Sequence, residues 1–293
     1  MYFVADIGGS STKIAIMNQE GEIKHRDSLD RQDDFDGLVD VMVECFKKYD
    51  KEYDLEGIAI SAPGSVDCKT GVIGGMSALP YIHGPNFKEI FKEKCGVNVA
   101  IENDANCAGL AEGTYGKYKD KETLALLVIG TGVGGCVVFN HQVVHGAHLF
   151  GGEFGFNVVD YDENSNKCLH LSDSSAFGGM LRNAKEHGVP ASNGKELFEC
   201  ASHDKNAKKI IDDFYRYLCI NIFNLQTILD PDVILISGAI SQRKGLIDEL
   251  SKAYHDLFKD DKFAILEPTI EISTFVQDAN LVGALANYLE EYK

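Results

Sequence analysis

Two segments of this 293-residue chain repeat one pattern: a short apolar strand, a glycine-rich turn that carries a hydroxyl residue, and a second apolar strand. The first copy follows Tyr2–Ala5 and reads Asp6-Ile7-Gly8-Gly9-Ser10-Ser11-Thr12-Lys13. The second follows Leu124–Ile129 and reads Gly130-Thr131-Gly132-Val133-Gly134-Gly135. Each copy predicts a β-hairpin. Copies about 120 residues apart are too distant for a solenoid repeat, so they predict two similar domains, as the length of the chain also favours.

The tips of both hairpins favour an anionic ligand. Glycine lets the backbone approach an anion closely, and successive N–H groups can form an anion-binding concavity. Asp6 adds a carboxylate beside the first tip, and Mg²⁺ prefers oxygen ligands and retained waters. One such hairpin is equally consistent with an ordinary glycine turn between core strands. Two hairpins that grip a polyphosphate from both sides predict binding of a Mg-nucleotide.

Charge and composition exclude several classes of partner. The net charge is −17, from 28 basic and 45 acidic residues, which argues against nucleic acid or an anionic membrane as partner. No apolar stretch reaches the roughly 18 residues of a membrane helix, and no signal peptide is recognisable. The eight cysteines show no zinc-ribbon or CxxC spacing, so we expect reduced, mostly buried thiols and a cytoplasmic protein.

Apolar periodicity predicts strands that alternate with helices, which is typical of an α/β architecture with mixed sheets. We predict strands near 2–7, 13–18, 22–28, 57–61, 97–101, 124–129, 136–139 and 233–237. The predicted helices are 35–49, 87–94, 104–113 and 278–291, with further helices across 175–229.

Glu102-Asn103-Asp104 lies where a predicted strand ends and a helix begins, the edge at which α/β sheets bind ligands. Asp104 has two interpretations at this position. It could cap the helix by accepting from free N–H groups, or act as a general base that takes a hydroxyl proton while Asn103 holds the substrate. An ordinary aspartate is ionised at pH 7 and needs no raised pKa for the second role.

Three other turns follow apolar strands or contain clustered glycines. Pro63-Gly64 is either a plain turn or a ligand loop, and Gly238-Ala239-Ile240 is either a strand-to-helix turn or a platform for a nucleoside. Glu153 lies among glycines in Gly151-Gly152-Glu153-Phe154-Gly155. That carboxylate either accepts hydrogen bonds from a polyol or is simply solvated.

Taken together, these motifs resemble the ROK (repressor, open reading frame, kinase) sugar kinases across essentially the whole chain. The motifs are Asp6-Ile7-Gly8-Gly9-Ser10 with Lys13, Ser61-Ala62-Pro63-Gly64, Glu102-Asn103-Asp104-Ala105-Asn106, Ile129–Gly135, Gly152-Glu153-Phe154-Gly155 and Asp278–Ala284. The resemblance implies a duplicated actin/hexokinase-like (ribonuclease H-like) α/β fold with two domains around a cleft. We expect the domains to be 1–116 plus 279–293, and 117–278.

The resemblance implies an ATP-dependent kinase that phosphorylates the 6-hydroxyl of an aldohexose, which is glucose, N-acetylmannosamine or a β-glucoside. Asp104 matches the catalytic base, and Gly64, Asn103 and Glu153 match sugar contacts. Asp6 would hold Mg²⁺ through water. The implied ATP contacts are Gly8, Gly9, Ser10 and Lys13 in the first hairpin, Gly130, Thr131 and Gly132 in the second, and Gly238 on the adenosine side.

The chain departs from the common family pattern after Gly155. Most members have a histidine followed by a cysteine-rich zinc cluster, whereas this chain has Phe156 and a solitary Cys168. We therefore predict no zinc site, and expect the polar run 172–175 to supply contacts in this segment instead. The pattern is similar to the β-glucoside kinase branch and to some N-acetylmannosamine kinases. His83 or Tyr81 could contact the sugar, although a surface-loop role for His83 is the simpler interpretation.

Two other functions are compatible with the resemblance. A ROK transcriptional repressor should have a basic helix-turn-helix before the first hairpin, which here begins at residue 2. A non-catalytic sugar sensor should have lost the base or a glycine hairpin, and both are present. We expect a small-molecule sugar partner, and the family suggests a homodimer.

Overall fold

The computed structural model describes residues 1–275 and 277–293. The chain divides into two compact units. The first unit comprises Met1–Asp120, His141–Gly151 and Gln277–Lys293, and the second comprises Lys121–Asn140 and Gly152–Val276. The C-terminal residues thus belong to the first unit, together with residues 141–151. The predicted domain boundaries stay a prediction.

The elements alternate between strands and helices along the chain. In chain order they begin with β1 (Tyr2–Ile7), β2 (Ser11–Met17), β3 (Ile23–Asp30), α1 (Phe35–Tyr53), β4 (Gly57–Ala62), β5 (Ser65–Asp67), β6 (Val72–Gly74), α2 (Phe87–Cys95), β7 (Asn98–Asn103), α3 (Asp104–Thr114), β8 (Thr123–Ile129), β9 (Val133–Phe139) and β10 (Gln142–Val143). They continue with β11 (Val158–Asp162), β12 (Lys167–His170), α4 (Leu171–Ser175), α5 (Phe177–Glu186), α6 (Gly194–Cys200), α7 (Lys205–Leu229), β13 (Val233–Ser237), α8 (Leu246–Phe258), β14 (Ile270–Ile272) and α9 (Ala279–Tyr292). Short 3-10 turns lie at Pro80–Ile82, Phe154–Phe156 and Ala239–Gln242.

The sheet of the first unit brings three strand ends to one edge. Its strand order is β3-β2-β1-β4-β7. β1 is antiparallel to β2 but parallel to β4, and β4 is parallel to β7. Asp6 is in register with Ser61, and Ser61 with Glu102. The carboxyl ends of β1, β4 and β7 therefore lie side by side, which is where ligands of such sheets bind.

Helices cover both faces of this sheet because successive strand residues point to opposite sides. Phe3 contacts Phe46 of α1, with ring centroids 5.8 Å apart, while Tyr2 contacts Tyr288 of α9 at 5.2 Å. Helix α1 begins after Asp34, whose side chain accepts from the N–H of Gly37. Full burial of an aromatic ring such as Phe3 or Phe46 contributes roughly 2–3 kcal/mol.

The second unit repeats the same strand arrangement. Four of its strands run in the order β9-β8-β13-β14, with an antiparallel pair followed by two parallel pairs. That sequence of pairings matches β2-β1-β4-β7 of the first unit. The predicted duplicated α/β fold is confirmed by this match.

A polar hairpin occupies the segment in which the cysteine-rich cluster is missing. β11 and β12 pair antiparallel, and hydrogen bonds join β11 and its flank to α7. Asn157 Nδ2 donates to Asn221 Oδ1 at 2.7 Å, and Tyr217 Oη donates to Asp160 Oδ2 at 2.7 Å. Ser172 Oγ accepts from the N–H of Val133 at 3.1 Å, which confirms that the run 172–175 supplies polar contacts.

Elements that the sequence analysis did not predict are mostly short. They are β5, β6, β10, β11, β12, α4, β14 and α8. A three-residue strand such as β5 or β6 is too short for an alternating pattern to emerge from its sequence. Five of the eight cysteines are buried, which agrees with the expectation of mostly buried thiols. Among the described residues, no helix is both long and apolar enough to cross a membrane.

Candidate active site

Asp6 is held at the end of β1 by three side chains of the first unit. The residue is only 7% exposed. Its Oδ1 accepts from Ser61 Oγ and from Asn280 Nδ2, both at 3.0 Å, while Oδ2 lies 3.6 Å from Lys13 Nζ. A carboxylate fixed in this way at a strand end is suited to a hydrated Mg²⁺, which takes oxygen ligands and keeps its waters.

The first hairpin tip is closed by one hydrogen bond and is otherwise exposed. Gly8 N–H donates to Ser11 O at 3.0 Å, and Arg31 donates to Gly9 O at 3.1 Å. A Cβ on Gly8 would lie 3.0 Å from Ser11 O, so this turn tolerates a side chain poorly. Gly9 and Ser10 are exposed, which leaves the tip accessible to a ligand.

At the junction of β7 and α3, the helix cap is Asn103 and not Asp104. Asn103 Oδ1 accepts from the N–H groups of Ala105 at 2.9 Å and Asn106 at 3.1 Å. Asn103 therefore holds the cap position, while Asp104 is the first residue of the helix and its Oδ1 also accepts from the N–H of Ala105. Asparagine takes the position because its backbone is extended there and its side chain reaches back to the first turn.

Asn103 also joins Asp104 to the loop at Gly64. Its Nδ2 donates to Asp104 Oδ1 and to Gly64 O, both at 3.0 Å, and Asp104 Oδ1 accepts from Ala105 N at 2.9 Å. Gly64 has φ +103°, and a Cβ there would lie 2.9 Å from Ile73 Cγ2. Only glycine adopts this turn without strain. The structure thus brings three predicted substrate residues into one hydrogen-bonded network.

Glu102 supports this network from beneath, a role that the sequence analysis did not assign. The side chain is fully buried, and its Oε1 accepts from Asn103 N at 2.6 Å and from Asn106 Nδ2 at 3.0 Å. Its Oε2 contacts His145 Nε2 at 2.7 Å, and this contact raises the pKa of His145. A charged residue inside an otherwise apolar strand is the only signal that the sequence offers for it.

His83 uses both ring nitrogens within its own loop. Nδ1 lies 3.0 Å from Gly75 O, and Nε2 lies 2.8 Å from Ser77 Oγ. Tyr81 is partly buried against the core of the first unit. The structure therefore favours the loop role for His83 over a sugar contact.

In the second unit, the tip of the hairpin is tied to the start of α5. Gly130 N–H donates to Gly132 O at 2.9 Å, Gly130 O accepts from Phe177 N at 2.9 Å, and Thr131 O accepts from Gly178 N at 3.0 Å. A Cβ on Gly130 would meet no atom within 4 Å. The backbone of this tip is therefore fixed while the space above Gly130 is open.

A cavity of about 590 Å³ follows Gly238 in the second unit. Gly238 has φ +80°, and a Cβ there would lie 2.5 Å from Ile129 O, so the end of β13 packs directly on the residue that precedes the second hairpin. The volume falls in the range of small-molecule sites, about 300–1,000 Å³. The cavity is lined by Phe177, Gly194, Phe198, Ala239, Ile240 and Arg243, among others. Of these residues only Ala239 and Ile240 are marked by the sequence, in the turn after Gly238, because the others come from separate elements.

Glu153 lies next to the second glycine-rich hairpin. It precedes the 3-10 turn Phe154–Phe156, and the ring of Phe154 fills the space above Gly135, where a Cβ would lie 2.3 Å from Phe154 Cδ2. Burial raises the pKa of the Glu153 carboxyl. A carboxylate in this setting gains from hydrogen-bond donors such as sugar hydroxyls.

The duplicated strand arrangement, with a glycine-rich hairpin in each unit, defines a protein of the actin/hexokinase-like fold. The chain belongs to the ROK family, whose family model matches residues 2–291. It is 33% identical over 291 residues to a beta-glucoside kinase of Listeria monocytogenes, covering 98% of this chain and 96% of that protein.

Solved structures agree with this assignment. A ROK family protein from Streptococcus pneumoniae, solved in complex with sucrose, has a TM-score of 0.89 and 34% identity, covering 99% of this chain and 98% of that one. A ROK hexokinase from Thermus thermophilus has a TM-score of 0.84 at 23% identity, covering 99% and 98%, and shares the fold.

Proposed function

We propose that this protein is an ATP-dependent sugar kinase that transfers a phosphoryl group to the 6-hydroxyl of an aldohexose: glucose, N-acetylmannosamine or a β-glucoside. The observation that carries the proposal is the network in which Asn103 links Asp104 to Gly64, at the sheet edge that also bears Asp6. The beta-glucoside kinase relative and the sucrose complex of the S. pneumoniae protein support a sugar as the acceptor.

In this mechanism Asp104 is the general base. Two donors, Asn103 Nδ2 and Ala105 N, hold Oδ1 and fix the orientation of the carboxylate. The carboxylate takes the proton of the sugar 6-hydroxyl as that oxygen attacks the γ-phosphorus of ATP, and ADP leaves. Asn103, Gly64 and Glu153 would hold the sugar, so that the reacting oxygen is positioned and water is excluded.

The residues at the two hairpins suit a Mg-nucleotide. Asp6 would hold Mg²⁺ through water, and the ion neutralises charge on the phosphates when it is bound. Lys13 and the N–H groups at Gly8, Gly9 and Ser10 would contact phosphate oxygens, as would those at Gly130, Thr131 and Gly132. The cavity that follows Gly238 has the size and aromatic lining for the nucleoside.

An ADP-release assay tests the proposal across a panel of glucose, N-acetylmannosamine and cellobiose, with 6-deoxyglucose as the matched control. We expect ADP release that depends on one of the three sugars, with the product phosphorylated at carbon 6 by NMR. The 6-deoxy sugar should give no product. ADP release that ignores the sugar, or phosphorylation of the 6-deoxy control, would contradict the assigned reaction.

The second hairpin offers a matched pair of glycines for testing nucleotide contact. In Gly130→Ala the methyl enters open space above the tip, so the fold should persist while KM for ATP rises roughly tenfold, equivalent to about 1.4 kcal/mol of binding. In Gly135→Ala the methyl would lie 2.5 Å from Gly152 O as well as against Phe154, so Tm should fall instead. Steady-state kinetics and thermal melts separate the two effects. An unchanged KM for ATP in Gly130→Ala would show that this tip does not contact the nucleotide.

A further inference from the structure

We propose that Cys68, Glu102 and His145 form a binding site for one Zn²⁺ ion in the first unit, separate from the Mg-nucleotide site. The three side chains come from three places: the residue after β5, the last but one residue of β7, and the segment after β10. Cys68 Sγ lies 3.1 Å from Glu102 Oε2 and 3.7 Å from His145 Nε2, and Nε2 lies 2.7 Å from the same Oε2.

These separations are close to those around a single tetrahedral zinc. Zinc bonds of about 2.3 Å to sulfur and about 2.0–2.2 Å to nitrogen and oxygen place such ligands roughly 3.4–3.6 Å apart. The Cys68–His145 pair already has that spacing, and the other two pairs need to open by less than about 1 Å. His145 lies on an irregular segment and its side chain is 34% exposed, so its ring has room to move.

Glu102 presents a single oxygen to the site. Its Oε1 is occupied by Asn103 N and Asn106 Nδ2, so Oε2 is the atom on which the thiol and the imidazole converge. The carboxylate cannot turn away, because the residue is fully buried in a strand. Cys68 is also held from its backbone, where Lys88 Nζ donates to Cys68 O at 2.9 Å. Thiolate, imidazole and carboxylate together form a ligand set that zinc favours.

The fourth coordination position would open on a cavity of about 390 Å³. The cavity is lined by the three proposed ligands and by Lys69, Leu110, Gln142, Val143, Asn287, Glu290 and Glu291. Asn287 Nδ2 is a buried donor with no hydrogen-bond partner among the described residues. A zinc-bound water or hydroxide in this cavity would offer an acceptor. The carboxylate of Glu290 favours entry of a cation, whereas that of Glu291 is already paired with Lys88 Nζ.

A zinc ion bound by Cys68, Glu102 and His145 is contrary to the sequence-based expectation of no zinc site. That expectation was based on the missing cysteine cluster after Phe156 and on the absence of zinc-binding spacing. The proposed ligands are 34 and 43 residues apart along the chain and match no spacing motif, so only the folded structure brings them together.

Zinc titration of the metal-free full-length protein, against a competing chromophoric chelator and with excess Mg²⁺, tests the proposal. We expect one tight Zn²⁺ per chain, and weakening in Cys68→Ser and in His145→Gln by at least the roughly 10–100-fold that even an outer-shell partner contributes. Cys168→Ser, an exposed cysteine of the second unit, is the matched control and should bind as the unaltered protein does.

Cobalt substitution identifies the sulfur ligand directly. We expect a thiolate-to-cobalt charge-transfer band in the unaltered protein and in Cys168→Ser, and its loss in Cys68→Ser.

Zn²⁺ should also raise the Tm of the unaltered protein more than that of His145→Gln, because a ligand stabilises the state that binds it. Absence of stoichiometric binding, or equal affinity and an unchanged cobalt spectrum in Cys68→Ser, would overturn the proposal. Sugar-kinase activity is measured separately, so failure of this site leaves the proposed reaction untouched.

Discussion

Asp104→Asn is expected to lower kcat by at least the ~10²-fold that general acid–base catalysis contributes, with the fold intact. The amide oxygen of asparagine can still accept from Asn103 Nδ2 and Ala105 N, which now hold Asp104 Oδ1 at 3.0 and 2.9 Å. It cannot take a proton from the sugar hydroxyl. The defect should therefore appear in kcat, while Kd for the sugar and Tm change little.

Asp248→Asn is the matched control for this variant. Asp248 also lies in the first turn of a helix, α8, but it is exposed and belongs to the second unit. Steady-state kinetics with the best sugar of the panel, calorimetric sugar binding and a thermal melt are measured on both variants. Near-normal turnover by Asp104→Asn would reject the general-base mechanism and leave Asp104 as part of the support for α3.

Gly283→Ala is expected to cause the largest loss of stability, about 3 kcal/mol or more. Gly283 of α9 faces α3 so closely that an added Cβ would lie 1.7 Å from the carbonyl oxygen of Cys107 and 2.3 Å from its carbonyl carbon. Backbone atoms cannot rotate away as a side chain does, so the helices must separate. Helix propensity alone predicts the opposite sign, because alanine is better than glycine in a helix by about 1 kcal/mol.

Thermal melts compare Gly283→Ala with Gly74→Ala, at which an added Cβ would be an ordinary 3.7 Å from Ser65 O. For a chain of this size, 3 kcal/mol corresponds to a Tm lower by roughly 6–12 °C, while the control should change little. A Tm that rises in Gly283→Ala would show that α9 and α3 can separate at little cost.

The fold was largely predictable because its signals are local. The strand at Tyr2–Ile7 and the helix at Asp104–Thr114 were predicted to within two residues, since both depend on apolar runs and turn residues close in the chain. The duplicated hairpins predicted the repeated sheet for the same reason. The polar hairpin at 158–170 was missed because its strands are short and mostly exposed, and contacts to α7 hold it in place.

The candidate site was predictable only in part. The edge of the sheet was recognisable from the residue types at Asp6, Gly64, Asn103 and Asp104. Those residue types did not determine which side chain caps α3. Asn103 takes that role because its extended backbone allows its side chain to reach two N–H groups of the first turn. The distinction depends on a backbone angle, and residue preferences at helix starts are similar for asparagine and aspartate.

By itself the sequence determined the duplicated α/β fold, the family and the positions of the two glycine-rich hairpins, because these depend on patterns within short stretches. Only the tertiary structure decided the roles of Glu102, the lining of the cavity beyond Gly238 and the convergence of Cys68 and His145 on one carboxylate oxygen. The physical reason is that parallel strands bring residues far apart in the chain to a common edge, and no local pattern encodes which of them meet.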